Sequence, residues 1–339
     1  MRVDYYYPPG SALAAGPAAE RASRIGYDGF MTAETSHDPF LPLVVAAGAA
    51  PELELGTSIA VAFPRSPMVT AMTAWDLAQA SGGKFTLGLG TQVKAHITRR
   101  FSVDWDSPGP RLRDYVLALR AIWDAWATGE RLHYEGEFYR FSLMTPFFDP
   151  GPIGHPHPPV AIAGVGPYLS RLAGEICDGL HIHPFHTIDY LDRVLLSNLA
   201  DGAREAGRSR DDCRRIVSVF AVTGATQSDM ERSLAAVKQQ IAFYASTPSY
   251  APVLEASGWD FGPKLTAMSK RGEWDRMAEV ITDEVAAEVG VVAPLDDLGE
   301  AIRVRYGDRV HRVGLYNLGA VAELDDGALQ QVISDLKGS

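Results

Sequence analysis

Eight apolar strand-like runs recur along this chain, each followed by at least one helical stretch, and this alternation limits the fold more than any other feature. The runs lie at 2–7, 28–33, 53–61, 84–90, 160–163, 178–183, 215–223 and 310–316. Helical patterns fall at 11–25, 39–50, 67–81, 110–128, 168–176, 187–206, 228–244, 295–306 and 325–337. Strands bridged by helices must pair in parallel, and eight such units suit an α/β fold of the TIM, (β/α)8-barrel kind. A doubly wound open sheet is the alternative. It lacks its fingerprint, because Gly88-Leu89-Gly90-Thr91-Gln92-Val93 and Gly164-Val165-Gly166-Pro167-Tyr168-Leu169 both miss the third glycine.

At 339 residues the chain suits one large barrel or two ordinary domains, and the barrel reading takes 1–339 as a single domain. Two stretches break the rhythm, at about 130–158 after the fourth strand and about 246–274 after the seventh. The first alternates like a hairpin around Glu135-Gly136-Glu137 and then turns rich in proline, phenylalanine and glycine. Long irregular inserts of this kind are usually functional or form a subunit contact. Phe138, Tyr139, Phe141, Phe147 and Phe148 are expected to wall an apolar pocket or a dimer surface. On the helix at 110–128, Trp123 and Trp126 share a face with Leu112, Val116, Leu119 and Ile122, the pattern of core packing.

The net charge of -11, with no Lys/Arg run, argues against a nucleic-acid surface. The first residues carry an early charge and no long apolar core, so no signal peptide is expected, and no apolar run is long enough for a membrane span. Neither end reads as disordered. Cys177 and Cys213 have neither metal nor redox spacing and read as buried thiols, which points to a reducing cytoplasm.

In such a barrel chemistry gathers where the strands end. The second strand ends in Glu34-Thr35-Ser36-His37-Asp38, where a carboxylate and an imidazole stand close enough to shuttle a proton. The other reading is that Asp38 or Ser36 caps the next helix and His37 is loop surface. The third strand runs through Ser58 and Ile59, the fourth ends in Gly90, Thr91 and Gln92, and the sixth in His181, His183 and His186. His181 and His183 share a strand face, and His155 and His157 are near in sequence, but no further ligand set for a metal hydrolase follows; a polar pocket wall is the better reading. No Gly-x-Ser-x-Gly turn is present. The fifth strand meets Gly164, Val165, Gly166, Pro167 and Tyr168 at the start of a helix. Glycines there let a ligand approach, and a helix start favours an anion such as phosphate. A tight turn with no ligand satisfies the same residues.

The ordered set Gly26-Tyr27-Asp28-Gly29-Phe30 leading to Glu34, Leu55-Gly56-Thr57-Ser58-Ile59, the run from Gly83 to Thr91, the run from Val160 to Tyr168, and Ala173-Gly174 before Asp178-Gly179 resembles the luciferase-like monooxygenase superfamily. Within it the chain resembles the branch that uses the deazaflavin coenzyme F420. The resemblance implies a bacterial-luciferase-like barrel with a non-prolyl cis peptide at Ser58-Ile59 behind the ring. It implies that residues 164–168, from Gly164 to Tyr168, hold the cofactor phosphate, and that Glu34, Thr35, Ser58, Ile59, Gly90, Thr91, Gln92 and Ala163 line the cofactor. Glu34 falls where the branch has an acid near the ring. The branch's histidine directly after that acid is replaced by Thr35, and His37 comes two residues later. The implied activity is hydride transfer between deazaflavin C5 and a small organic substrate, with Glu34 or His37 handling the proton. An FMNH2-dependent monooxygenase is the alternative, and a metal-dependent hydrolase stands behind both. Val93 occupies the place of an acid found in the branch's sugar-phosphate dehydrogenases, so no sugar phosphate is inferred. Family members commonly pair, so a homodimer is expected.

Overall fold

A computed structural model describes residues 1–338; Ser339, the last residue of the expected domain range, lies outside the described residues. Eight strand positions pair in parallel and close on themselves. They are β1 (Arg2–Tyr6), β2 (Gly29–Thr32), β3 (Glu54–Thr57, resumed as Ala60–Val61), β4 (Phe85–Gly90), β5 (Val160–Gly164), β6 (Gly179–Ile182), β7 (Arg214–Val219) and β8 (Arg312–Leu315). Closure is carried by Arg2 opposite Arg312 between β1 and β8 and by Leu55 opposite Phe85 between β3 and β4. The chain is thus the expected (β/α)8 barrel. Where one strand was expected over 53–61, the structure breaks it at a cis Ser58-Ile59 peptide, the bond the resemblance implied.

Strand alternation explains how the barrel is filled. One parity is apolar and faces the helices: Val3, Phe30, Leu55, Phe85, Leu87, Leu89, Val160, Ile162, Leu180, Val217 and Val313 are all buried. The helices around them include α1 (Ala15–Ile25), α2 (Leu41–Ala49), α3 (Pro67–Ala80), α4 (Lys94–Arg99), α5 (Pro108–Thr128) and α6 (Pro167–Ile176). Trp123 and Trp126 of α5 are buried with Trp75 of α3, as their spacing predicts. The other parity points into the barrel and is small or polar for the most part, with Met31 and Ile216 as apolar exceptions. At its N-terminal end Arg312 donates to Asp4 and, at 2.6 Å, to Glu54. Arg2 pairs with the same Glu54. Asp4 and Arg312 are 1% and 3% exposed, so this ion cluster plugs the bottom of the barrel.

Two elements were not foreseen: helix α4, and a helix at Asp283–Val289 leading into Val291–Val292, which pairs with Ala221–Val222. The first insert does form a hairpin, Tyr134–Glu135 with Arg140–Phe141. It folds back onto α5, where the buried Asp114 carboxylate accepts the Phe138 and Tyr139 N–H groups at 2.6 and 3.1 Å and the Tyr134 hydroxyl. Phe147 and Phe148, expected to wall a pocket or a dimer surface, are 88% and 71% exposed and pack on each other.

Candidate active site

The C-terminal ends of β2 and β3 are tied across the cis peptide. The Ser58 N–H donates to the Thr32 carbonyl at 2.6 Å, and the Glu34 N–H donates to the Ile59 carbonyl at 3.0 Å. One oxygen of the buried Glu34 carboxylate accepts the Val61 N–H and the Arg65 guanidinium, both at 2.7 Å. Arg65 also reaches Asp38 at 3.1 Å and lies 5.3 Å over the Phe40 ring. Burial opposes the Arg65 charge, and the Glu34 and Asp38 carboxylates more than offset it. Asp38 in turn accepts the Phe40 and Leu41 N–H groups and caps α2, one of the two readings its loop allowed. His37 and Thr35 are exposed, and among the described residues no hydrogen bond joins His37 to Glu34. The structure therefore does not assemble the proton pair expected of Glu34 and His37: the carboxylate is committed to bracing the third strand, and the imidazole stands out in the loop.

Beneath the cis peptide, the Ser58 hydroxyl lies 3.4 Å from His181 Nδ1. His181 is buried and its Nε2 has no partner. Burial, helped by the charge of Arg312, pulls this imidazole down to about 4, so it is neutral at pH 7. Gly88 makes room for it, since a Cβ there would stand 2.7 Å from Nε2. The Ile59 side chain leans against Gly90, and a Cβ on Gly90 would meet it at 2.6 Å and the Ala163 methyl at 3.7 Å. Ser58, Ile59, Gly90 and Ala163 are thus brought to one place at the mouth of the barrel. Beside them Gln92 takes a left-handed φ of 59° and turns its side-chain oxygen back to accept the Val93 N–H at 3.0 Å, while the Thr91 hydroxyl donates to the Gln92 carbonyl.

The glycine turn follows on the next strand. Gly166 caps α6, its carbonyl accepting the Ser170 N–H and hydroxyl at 3.2 and 3.1 Å, and the Tyr190 hydroxyl holds the Val165 carbonyl at 2.8 Å. Pro167 occupies the first turn, where no partner for an N–H exists. Tyr168 is half exposed and its ring lies over Gly109 of α5. Gly166 has φ -126° and ψ 175°, ordinary extended backbone, and a Cβ added to it would meet nothing within 4 Å. Neither conformation nor packing demands a glycine there; what it leaves is open space in front of the free N–H groups at the start of α6.

On the far side of that turn stands an aromatic cluster. Register places Gly164 opposite Ile182, so His183 follows beside Val165. His183 Nδ1 accepts the Phe185 N–H at 3.1 Å and Nε2 lies 3.0 Å from the Tyr250 hydroxyl. The ring packs 4.4 Å from Tyr244 and 4.6 Å from Tyr250, and the Tyr244 hydroxyl is 2.9 Å from that of Tyr316. His186 is buried lower, its Nδ1 2.7 Å from the His183 carbonyl. The other histidine pair is elsewhere: His157 packs on Trp75 and Trp123, and His155 stands against Gly83, before β4 begins. Among the described residues no group of three or more His, Cys, Asp or Glu is placed to hold a metal ion.

Four residues of this mouth escaped the sequence reading. Tyr6 ends β1 and Tyr316 directly follows β8, and strand parity alone was a signal that they face inward. Arg65 and Tyr250 carried none, because each reaches its partner across a loop.

Residues 4–312 match the family described as luciferase-like monooxygenase. An uncharacterised protein of Mycobacterium tuberculosis is 45% identical over 323 residues, covering 95% of each chain. A 5,10-methylenetetrahydromethanopterin reductase of Archaeoglobus fulgidus is 27% identical over 256 residues, covering 74% of this chain and 72% of its own. Among solved structures, the coenzyme F420 dependent tetrahydromethanopterin reductase of Methanopyrus kandleri superposes with a TM-score of 0.78 at 18% identity, covering 99% of this chain and 97% of that one. The oxygenating constituent of 3,6-diketocamphane monooxygenase of Pseudomonas putida, in complex with FMN, superposes with a TM-score of 0.70 at 17% identity, covering the same shares. A barrel opened at Ser58-Ile59, with a glycine-started helix beside it and a family match across nine-tenths of its length, belongs to the luciferase-like monooxygenase family.

Proposed function

We propose that this member of the family is a coenzyme F420-dependent oxidoreductase, moving a hydride between the deazaflavin C5 and a small organic substrate. The observation that carries the reading is the open space at Gly166, facing the N-terminus of α6. A phosphate-bearing cofactor fits it by charge and by room. Residues 164–168 would hold the phosphate with backbone amides. Ile59, Gly90 and Ala163 would lie against one face of the ring, with Ser58, Thr91 and Gln92 at its edge and Glu34 and Thr35 behind the third strand. The bound deazaflavin supplies the hydride, and its carbon at position 5 reacts poorly with oxygen, which favours reduction or dehydrogenation over monooxygenation. The protein's part is to orient, to exclude water and to place a proton. Glu34 enters as the brace of the third strand, and the proton passes to another group at the mouth. The A. fulgidus relative, a reductase by name, supports the same direction.

Fluorescence titration with F420 and with FMN tests the reading. The wild-type chain is expected to bind F420. Gly166→Val is expected to melt at the wild-type temperature, because its backbone is unstrained and its side chain meets nothing. It is expected to bind F420 at least about tenfold more weakly, the effect of losing about 1.4 kcal/mol at the phosphate. Tight FMN binding without F420 binding overturns the proposal in favour of the flavin alternative.

A further inference from the structure

The second insert ends on the active-site mouth rather than on the outer surface. Residues 248–250 form a short turn, Pro248–Tyr250, that lays the Tyr250 ring on His183 at the end of β6. Hydrogen-bond bookkeeping fixes what that contact is. His183 Nδ1 accepts the Phe185 N–H, so in the neutral ring the proton sits on Nε2. Burial, with His186 nearby, pulls His183 down to about 3, which keeps the ring neutral. Nε2–H therefore donates to the Tyr250 oxygen at 3.0 Å. The Tyr250 O–H proton is then unspent, and burial keeps it on the oxygen at neutral pH. Tyr250 as a residue is half-buried, and among the described residues its hydroxyl has no hydrogen-bond partner besides His183. Around it stand Tyr244, Tyr316, Phe185 and Phe220, with rings packed in series and no charged side chain among them.

We infer that Tyr250, oriented by His183, donates its hydroxyl proton to the oxygen of an uncharged carbonyl substrate seated at the mouth beside residues 164–166. The inference rests on the proposed hydride-transfer reading for its redox half. In the reducing direction the carbonyl carbon gains the hydride that the reduced deazaflavin supplies. The C=O π pair moves to oxygen, and that oxygen takes the Tyr250 proton. The phenolate left behind keeps the His183 Nε2–H bond and recovers a proton from water. One ketone is reduced to an alcohol and one cofactor is oxidised. With the anion-binding start of α6 given to the cofactor, the aromatic side chains around Tyr250 offer no charge of their own, which favours an uncharged substrate there. His183 is a positioning residue in this scheme and Tyr250 the catalytic one.

Tyr250→Phe removes only the hydroxyl, and carbonyl-13C acetophenone reports the hydrogen bond directly. Titrated without cofactor, the wild-type chain is expected to bind this probe about 2- to 12-fold more tightly than the variant, the span of one neutral hydrogen bond. The bound carbonyl resonance is expected to move downfield in the wild type only. With reduced F420 added, acetophenone turnover by Tyr250→Phe is expected to fall about 100-fold or more at unchanged F420 affinity, as for loss of a general acid. His183→Gln is expected to shrink the resonance shift while leaving Tyr250 in place. Equal affinity and equal resonance in wild type and Tyr250→Phe overturn the inference, even if F420 binds. Failure of the wild type to bind F420 while the carbonyl signal persists overturns the hydride reading and leaves the donor site standing. Unfolding of Tyr250→Phe would show as lost near-ultraviolet dichroism, and the His183→Gln resonance then decides the matter.

Discussion

His181 is the residue on which burial and charge act most plainly. It lies under the cis peptide with Nε2 unpartnered, and both it and His186 are pulled down to about 4, chiefly by burial. An unfolded histidine titrates near 6.5. Between pH 6.5 and 4 the unfolded chain therefore binds protons that the native chain refuses, so stability is full above pH 6.5 and falls as pH drops. From pH 7 to 5 the expected loss is roughly 2 kcal/mol for each of these two and for His183, which burial pulls down to about 3. Urea midpoints measured at pH 7 and pH 5 check this. The wild type is expected to lose stability across that interval, and His186→Gln, which lacks one of the three groups, to lose roughly 2 kcal/mol less. A flat profile would remove the claim. The sequence placed His181 and His183 on one strand face because parity is local. It could not show that one is orphaned against Gly88 and the other bound to Tyr250, since both facts are set by residues dozens of positions away.

Among the elements, the hairpin of the first insert depends on a single buried carboxylate. Asp114 collects two backbone N–H groups and a tyrosine hydroxyl from the hairpin and offers α5 as the anchor. A two-stranded hairpin has little stability of its own, so this anchor decides whether it is ordered. Asp114→Ala strands three donors, and each unmet donor costs about 1–3 kcal/mol where water cannot reach it. The expected outcome is early hydrogen exchange across 134–141 and faster proteolytic cutting there, with the barrel strands still protected. Exchange unchanged in the hairpin would count against Asp114 as its anchor. The hairpin was legible from alternation around Gly136, and its anchor was not: Asp114 sits in a helical pattern where a lone carboxylate reads as solvent-facing. The break in β3 and the missed helix α4 share a cause. Short elements carry too few residues for periodicity to speak, and in β3 only the family resemblance marked Ser58-Ile59.

At the scale of the whole molecule, one face is apolar without a partner. Leu41 and Val44 on α2 are 60% and 56% exposed, and Val69 and Met72 on α3 are each 46% exposed. Each pair is three residues apart and so shares one side of its helix, and α2 packs against α3. Exposed apolar side chains grouped on neighbouring helices are candidates for a contact with a partner. The homodimer expected from the family resemblance is predicted to form on this face. Val44→Asp combined with Met72→Asp is expected to shift the sedimenting species from two chains to one without altering the far-ultraviolet dichroism. A wild-type chain that sediments as a monomer at micromolar concentration would refute this. The barrel itself was readable from sequence because its eight repeats are long-range only in assembly; each strand and helix announces itself locally.

The ion cluster of Asp4, Arg312 and Glu54 has a last implication. It closes the N-terminal end of the barrel, so the proposed coenzyme and substrate would enter at the opposite rim, bounded by residues 164–168 and Tyr250, where chemistry gathers in this fold.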